Sequence, residues 1–204
     1  MPASSVTFGS AAPWVVAAYL LGTFPTAVVV AGRRGVDPTL SGSRNPGATN
    51  VLRTAGRRAG VVTLAGDLAK GAIAAGVGWA VGGHGLGVAC GVAAVVGHVL
   101  PVTRSFRGGK GVATAAGMGL VLYPAAMAVA TVAFALATGL SRMVSLGSVA
   151  AVAVMPLAAA ALGAPGREVA ALTACAVLVV ARHRENLVRV VRGEEPRLGT
   201  SSSG

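Results

Sequence analysis

"AGVVTLAGDLAKGAIAAGVGWAV", residues 59–81, holds one acid and one base among 23 residues that are otherwise apolar or small, apart from Thr63. A helix of about 20 such residues spans the hydrocarbon core of a bilayer. The stretch lacks the two-residue alternation a barrel strand would need, so it reads as a transmembrane helix. Asp67 and Lys70 lie three apart and meet on one face of that helix. Each charge costs roughly 2.5–3.5 kcal/mol at a helix centre on insertion scales. They are therefore expected to pair with each other or to face a wet cavity, in a packing and positioning role.

Working outward, further apolar runs lie at 11–31, 86–102, 110–122, 124–140, 143–162 and 168–181. Together they predict an all-α, polytopic integral membrane bundle of about seven helices. The runs at 110–122 and 168–181 fall short of a full crossing, so five spans is the alternative count. The composition agrees: 54% hydrophobic and 11% charged residues with a mean hydropathy of +0.73, against about 25% charged in soluble domains. Thirty glycines suit close helix packing, because lipid gives helices no hydrophobic reason to associate and small residues let backbones approach. No soluble domain or linker interrupts residues 1–204, so one membrane-embedded domain is expected, ending in a frayed "GTSSSG". Cys90 and Cys175 sit inside apolar runs and read as small buried hydrophobes, with no disulfide framework and no metal-ligand spacing.

The formal net charge of +11 does not indicate nucleic acid, because the cations gather in the gaps between apolar runs. Fifteen of the seventeen Lys and Arg residues fall on one side if the helices alternate; Arg167 falls on the other, and Lys70 lies within a span. The positive-inside rule then puts the N-terminus outside and the C-terminus in the cytoplasm. Four cytoplasmic stretches, at 41–53, 97–114, 141–148 and 181–195, carry the residues able to do chemistry.

The first, "SGSRNPGATNVLR" (41–53), crowds Ser43, Asn45, Thr49 and Asn50 beside Gly42, Gly47 and Arg53, more small polar groups than an anchoring loop requires. The second, "GHVLPVTRSFRGGKGVAT" (97–114), resembles a phosphate loop but breaks the G-x-x-x-x-G-K-[ST] pattern, because Gly111 follows Lys110. What remains is physics. A glycine turn through Gly108, Gly109 and Gly111 into a helix N-terminus offers N–H donors and a favourable dipole to an anion, and Arg107 and Lys110 add charge. The third, "SRMVSLGS" (141–148), sets Ser145 and Ser148 on one helix face behind Arg142. The fourth begins "ARHRENLVRVVRG" (181–193) and places His183 and Asn186 three apart among arginines.

Taken together, these stretches resemble the acyl-phosphate-dependent glycerol-3-phosphate acyltransferases of bacteria, the PlsY family. "GSRNPGATNVLR" is similar to its first motif, "GHVLPVTRSFRGGKGVAT" to its second, "SRMVSLGS" to its fifth-gap segment and "RHRENLVRVVRGEE" to its third. Two departures stand out: Arg44 occupies the place of a glycine in the first motif, and Arg107 that of a lysine in the second. Both keep or add positive charge.

The resemblance implies transfer of a fatty acyl group from acyl phosphate to the 1-hydroxyl of sn-glycerol 3-phosphate, giving lysophosphatidic acid and phosphate, at the bacterial inner membrane. By the same resemblance Ser43, Arg53, Lys110, His183 and Asn186 are the catalytic residues. Asn45, Gly47, Thr49, Asn50, Gly108, Gly109, Gly111, Arg142 and Ser148 bind substrate. An acyl phosphate is already activated, so no cofactor and no metal is expected, and the partners are the two substrates and membrane lipid, with no nucleic acid and no obligate protein partner. The hydroxyl proton goes either to His183 or to a substrate phosphate oxygen. None of the three histidines is followed four residues later by Asp: Val88, Val102 and Leu187 stand there. That sets the chain apart from acyltransferases with a His/Asp motif, which generally use thioesters. The competing reading is a small organic-anion transporter, disfavoured because polar residues crowd one surface instead of the bilayer midplane.

Overall fold

The computed structural model describes residues 8–199, so most of the terminal "GTSSSG" lies outside the described residues. All regular structure in that range is helical. The chain divides into two compact units, 1–122 and 123–204.

The first unit begins with α1 (Phe8–Gly22) and α2 (Thr26–Gly32). The sequence reads as one run over 11–31, but the helix breaks at Thr23–Pro25. Pro25 has no N–H to give to the helical ladder, and its ψ of 63° turns the chain. The break leaves the Phe24 carbonyl outside the ladder, where it accepts from Lys70 Nζ at 3.2 Å. A short helix inside the first motif, α3 (Ala48–Ala55), leads through Gly56 into α4 (Arg57–Val99).

Helix α4 is a hairpin. Gly82 (φ −141°, ψ 20°) and Gly83 (φ 79°, ψ −178°) leave helical geometry, and only glycine adopts the second conformation readily. On a continuous helix residues 75 and 87 would stand about 18 Å apart. A Cβ on Gly87 would instead lie 3.0 Å from the Ala75 carbonyl oxygen. The two legs, 57–81 and 84–99, correspond to the spans read at 59–81 and 86–102. After a 3-10 turn (Val102–Arg104) and the glycine turn comes α5 (Val112–Leu122), the short run expected at 110–122.

Glycines set the helix spacing. A Cβ on Gly71 of α4 would run into the Thr114 carbonyl of α5, and one on Gly117 into the Leu68 carbonyl. Gly22 meets Ala94, and Gly97 meets Tyr19, in the same way between α1 and α4. Backbone against backbone is the packing that lipid-embedded helices use in place of a hydrophobic driving force.

The second unit holds α6 (Pro124–Ser141), α7 (Val144–Ala161), α8 (Gly166–Ala181) and α9 (Arg184–Val191). Its 16-residue α8 extends the short run read at 168–181 by two residues at the N-terminal end. Four stretches among the described residues are long and apolar enough to cross a membrane: Ser10–Gly32, Arg57–Arg104, Pro124–Ser141 and Val144–Ala161. The second of these is the α4 hairpin and its exit. The protein is an all-helical, multi-pass membrane protein.

Candidate active site

Within the first unit, the loop "SGSRNPGATN" wraps around one buried side chain. Asn50 Oδ1 accepts from the Ser43 N–H at 2.9 Å, while Nδ2 donates to the Pro38 carbonyl at 2.9 Å and to Ser41 at 3.0 Å. Asn50 is 3% exposed, so its amide shapes the loop from inside. Gly47 opens α3, and Arg53 lies in its last turn instead of at the start of the next span. Ser43, Thr49 and Arg53 are exposed, with Asn45 half-buried. Arg44, at the position where the family pattern has glycine, takes a left-handed φ of 57°. Asp37, in the same loop, is held below its usual carboxylate range by hydrogen bonds from the Thr39 side chain and backbone.

The glycine turn of the second motif packs on His98. A Cβ on Gly108 would collide with the His98 carbonyl, and one on Gly109 with the His98 ring. Glycine is thus required at 108 by close approach to backbone, beyond any use of its N–H group. The Gly109 N–H itself donates to the His98 carbonyl at 3.1 Å, so that donor is engaged within the turn. Gly111 has φ 88°, and its carbonyl accepts from the Ala115 N–H in the first turn of α5. Lys110 is half-buried beside it. Pro46 of the first motif stands 3.1 Å from where a Gly109 Cβ would sit, which brings the two motifs together. They border a small cleft, partly open to solvent, lined by Arg104, Arg107, Asp67, Lys70 and His98 among others. Asp67 and Lys70 pair at 2.9 Å, as their spacing predicts.

The second unit gathers the other two stretches. α8 ends at Ala181, so His183 sits at the N-terminal boundary of α9 and not within a continuous helix. Its Nδ1 is 2.8 Å from the Val179 carbonyl. A carbonyl only accepts, which places the proton on Nδ1 and makes Nε2 the basic nitrogen of the neutral ring. Asn186 Nδ2 donates to Glu195 Oε1 at 2.7 Å, and Arg189 Nε donates to Glu195 Oε2 at 2.8 Å. His183, Asn186 and Glu195 are 2%, 6% and 7% exposed.

Burial pushes the Glu195 carboxyl up, but hydrogen bonding to Asn186, Ser145 and Arg189, with the charge of Arg189, leaves it below its usual range. The Ser145 hydroxyl contributes through proximity, without a geometrically complete hydrogen bond. Ser148, buried on the same helix, donates to the Val144 carbonyl at 2.8 Å. Arg142 caps α6 in a left-handed conformation (φ 60°) and its carbonyl accepts from the Leu198 N–H at 2.7 Å, so the tail returns to the α6–α7 connection.

Each unit therefore assembles two of the four stretches. Sequence spacing assigned no role to His98 or Glu195. His98 was legible only as a histidine lacking Asp four residues on. Glu195 was one of two adjacent acids among tail arginines, and that local charge contrast was the available signal. No three His, Cys, Asp or Glu side chains cluster so as to hold a metal ion among the described residues.

Known proteins are similar to this chain over nearly its whole length. The family model described as glycerol-3-phosphate acyltransferase matches residues 12–193. The glycerol-3-phosphate acyltransferase of Trichlorobacter lovleyi is 40% identical over 185 residues, covering 90% of this chain and 95% of its own. That of Pseudomonas aeruginosa is 45% identical over 190 residues, covering 89% and 97%. The crystal structure of PlsY, an integral membrane glycerol 3-phosphate acyltransferase, in its glycerol 3-phosphate form superposes with a TM-score of 0.90 at 36% identity, over 94% of this chain and 97% of that one. Its lysophosphatidic acid form gives a TM-score of 0.87 over the same shares. With sequence and fold in agreement, the chain belongs to the glycerol-3-phosphate acyltransferase family.

Proposed function

We infer that the protein transfers a fatty acyl group from acyl phosphate to the 1-hydroxyl of sn-glycerol 3-phosphate. The observation that carries this reading is the family match over residues 12–193, joined by a buried imidazole, His183, whose Nδ1 is committed to a backbone carbonyl. PlsY, the structural relative, has been crystallised in glycerol 3-phosphate and lysophosphatidic acid forms, a substrate and a product of such a transfer.

In the step, the hydroxyl oxygen forms an ester bond to the acyl carbonyl carbon, and the bond from that carbon to the phosphate oxygen breaks. His183 Nε2 accepts the hydroxyl proton, which passes to the departing phosphate; direct uptake by a substrate phosphate oxygen leaves His183 as the group that orients the hydroxyl. Ser43, Arg53, Lys110 and the glycine turn hold phosphate, and positive charge there favours the developing oxyanion and the leaving group. Asn45 and Thr49 of the first unit, and Arg142 and Ser148 of the second, bind substrate. Asn50 and Gly47 act through the shape of the first loop.

The protein sits in the bacterial inner membrane with seven crossing segments, the N-terminus outside and these residues facing the cytoplasm. The distribution of Arg and Lys supports that orientation. It works on acyl phosphate without an obligate protein partner. Anion transport by the same residues is not favoured, since the chain's relatives are acyltransferases.

The test is phosphate release from palmitoyl phosphate by purified protein in lipid-supplemented detergent, with and without glycerol 3-phosphate. Release that depends on glycerol 3-phosphate, yields lysophosphatidic acid and collapses in a folded His183→Ala is expected. No such release from folded wild type overturns the reading. A His183→Gln that keeps substantial kcat would assign the proton to the substrate phosphate.

A further inference from the structure

The cleft in the first unit contains a buried polar chain that links Phe24, Lys70, Asp67 and His98. Lys70 Nζ contacts Asp67 Oδ1 at 2.9 Å and donates to the Phe24 carbonyl at 3.2 Å, at the break between α1 and α2. The same Asp67 Oδ1 lies 3.6 Å from His98 Nδ1, with side chains 3% and 9% exposed. His98 in turn supports the glycine turn twice. Its carbonyl accepts the Gly109 N–H at 3.1 Å, and its ring lies where a Gly109 side chain would otherwise be. An apolar helix has no packing need for a carboxylate, and Lys70 alone does not explain why Asp67 Oδ1 also faces an imidazole.

We propose that Asp67 is a positioning residue for the glycine turn: Lys70 balances its charge, Asp67 holds the His98 imidazole against Gly109, and His98 thereby fixes the Gly108–Gly109 backbone in the form that receives a substrate phosphate. The proposal rests on the reading of this turn as a phosphate site. It places no atom of Asp67 on the substrate. The loss of a group that acts by orienting a binding turn appears as a change in KM when ground-state and transition-state binding fall together.

The experiment varies glycerol 3-phosphate and acyl phosphate in turn, with full-length protein in lipid-supplemented detergent. The variants are Asp67→Asn, His98→Gln, their combination, and Asp67→Asn with Lys70→Met, which removes both buried charges at once. The expected result is a KM raised about tenfold for one of the two phosphate substrates, the scale of one hydrogen bond to a charged group, with kcat within about threefold. Which KM rises identifies the phosphate held by the turn. The combined Asp67→Asn/His98→Gln is expected to be no worse than the weaker single variant, because both act through one chain of contacts.

Unchanged KM values for both substrates, a fall in kcat alone, or multiplying effects in the combination would overturn the proposal. Should Asp67→Asn fail to fold, the charge-free pair with Lys70→Met carries the same comparison. Lys110→Ala separates the two levels of argument. If it leaves both KM values unchanged, the phosphate reading of the turn fails and the proposal with it; if it raises one while the Asp67 variants do not, the positioning role alone falls.

Discussion

Asn186 and Glu195 form a buried amide–carboxylate contact of 2.7 Å that joins α9 to the tail nine residues on. The carboxylate is shared with Arg189, so one acid orders an amide and a guanidinium together.

Removing that acid leaves a buried amide donor without its acceptor, which costs about 1–3 kcal/mol. Glu195→Ala is therefore expected to lower the thermal midpoint and to reduce activity together with Asn186→Ala, measured by differential scanning fluorimetry and phosphate release. Because the folded Glu195 carboxyl lies below its ordinary value of 4.5, its stabilisation is present above that pH and is lost as pH falls through the lower folded value. Wild type should lose stability on acidification below about pH 4.5, and Glu195→Gln should flatten that part of the midpoint-against-pH curve.

Arg44 tests the departure from the family glycine. A left-handed residue with a side chain costs about 1–2 kcal/mol, partly offset by the extra chain entropy glycine loses on folding. Arg44→Gly is expected to hold or raise the thermal midpoint, whereas Arg44→Val, β-branched at φ 57°, should lower it by the equivalent of about 1–2 kcal/mol. A Val variant as stable as the Gly variant would contradict the left-handed backbone at this position.

The α4–α5 contact makes a controlled comparison possible on one helix. A Cβ at Gly71 meets backbone, while one at Gly76 finds only Val121 at 3.9 Å, an ordinary contact. Gly71→Ala should cost about 1–3 kcal/mol through overpacking. Gly76→Ala should be neutral or slightly stabilising, as in any helix interior. Unfolding monitored in parallel for both variants checks the difference.

Tyr19 ties α1 to the start of the second motif: its hydroxyl donates to the Leu100 carbonyl at 2.8 Å and accepts from the Val102 N–H at 3.0 Å. Tyr19→Phe removes both bonds while keeping the ring, at an expected cost of about 1–2 kcal/mol. Hydrogen exchange at Val102 should speed up in the variant, with little change in the second unit.

Much of the fold was legible because burial in lipid is a property of contiguous residues. The run at 59–81 needed only its own composition to be read as a leg of α4, and Gly82–Gly83 marked the reversal. What failed to read was local backbone chemistry against a continuous apolar background. The pattern at 11–31 is unbroken, yet Pro25 splits it, and the basic run around Arg53 hid the short α3. For the site, i,i+3 spacing found the Asp67–Lys70 pair and placed Ser145 near Ser148. It also brought His183 near Asn186, although the helix begins anew there. Spacing was silent on Asp67 with His98 and on Asn186 with Glu195. Those partners come from opposite legs of the α4 hairpin or from a returning tail, and only packing brings them together.

The α4 hairpin has a consequence for how the chain enters a membrane. Arg57 and Arg58 open its first leg, Arg104 and Arg107 follow its second, and the reversal at Gly82–Gly83 carries no charge. The two acid and base groups within the legs sit 2.9 Å apart and cancel. Both legs can thus partition together as a preformed helical pair that moves no net formal charge through the bilayer, leaving its arginines behind as a shared stop at one face. Asp67 and Lys70 then matter before any substrate arrives, because losing either would oblige the hairpin to carry a bare ion into hydrocarbon during biogenesis.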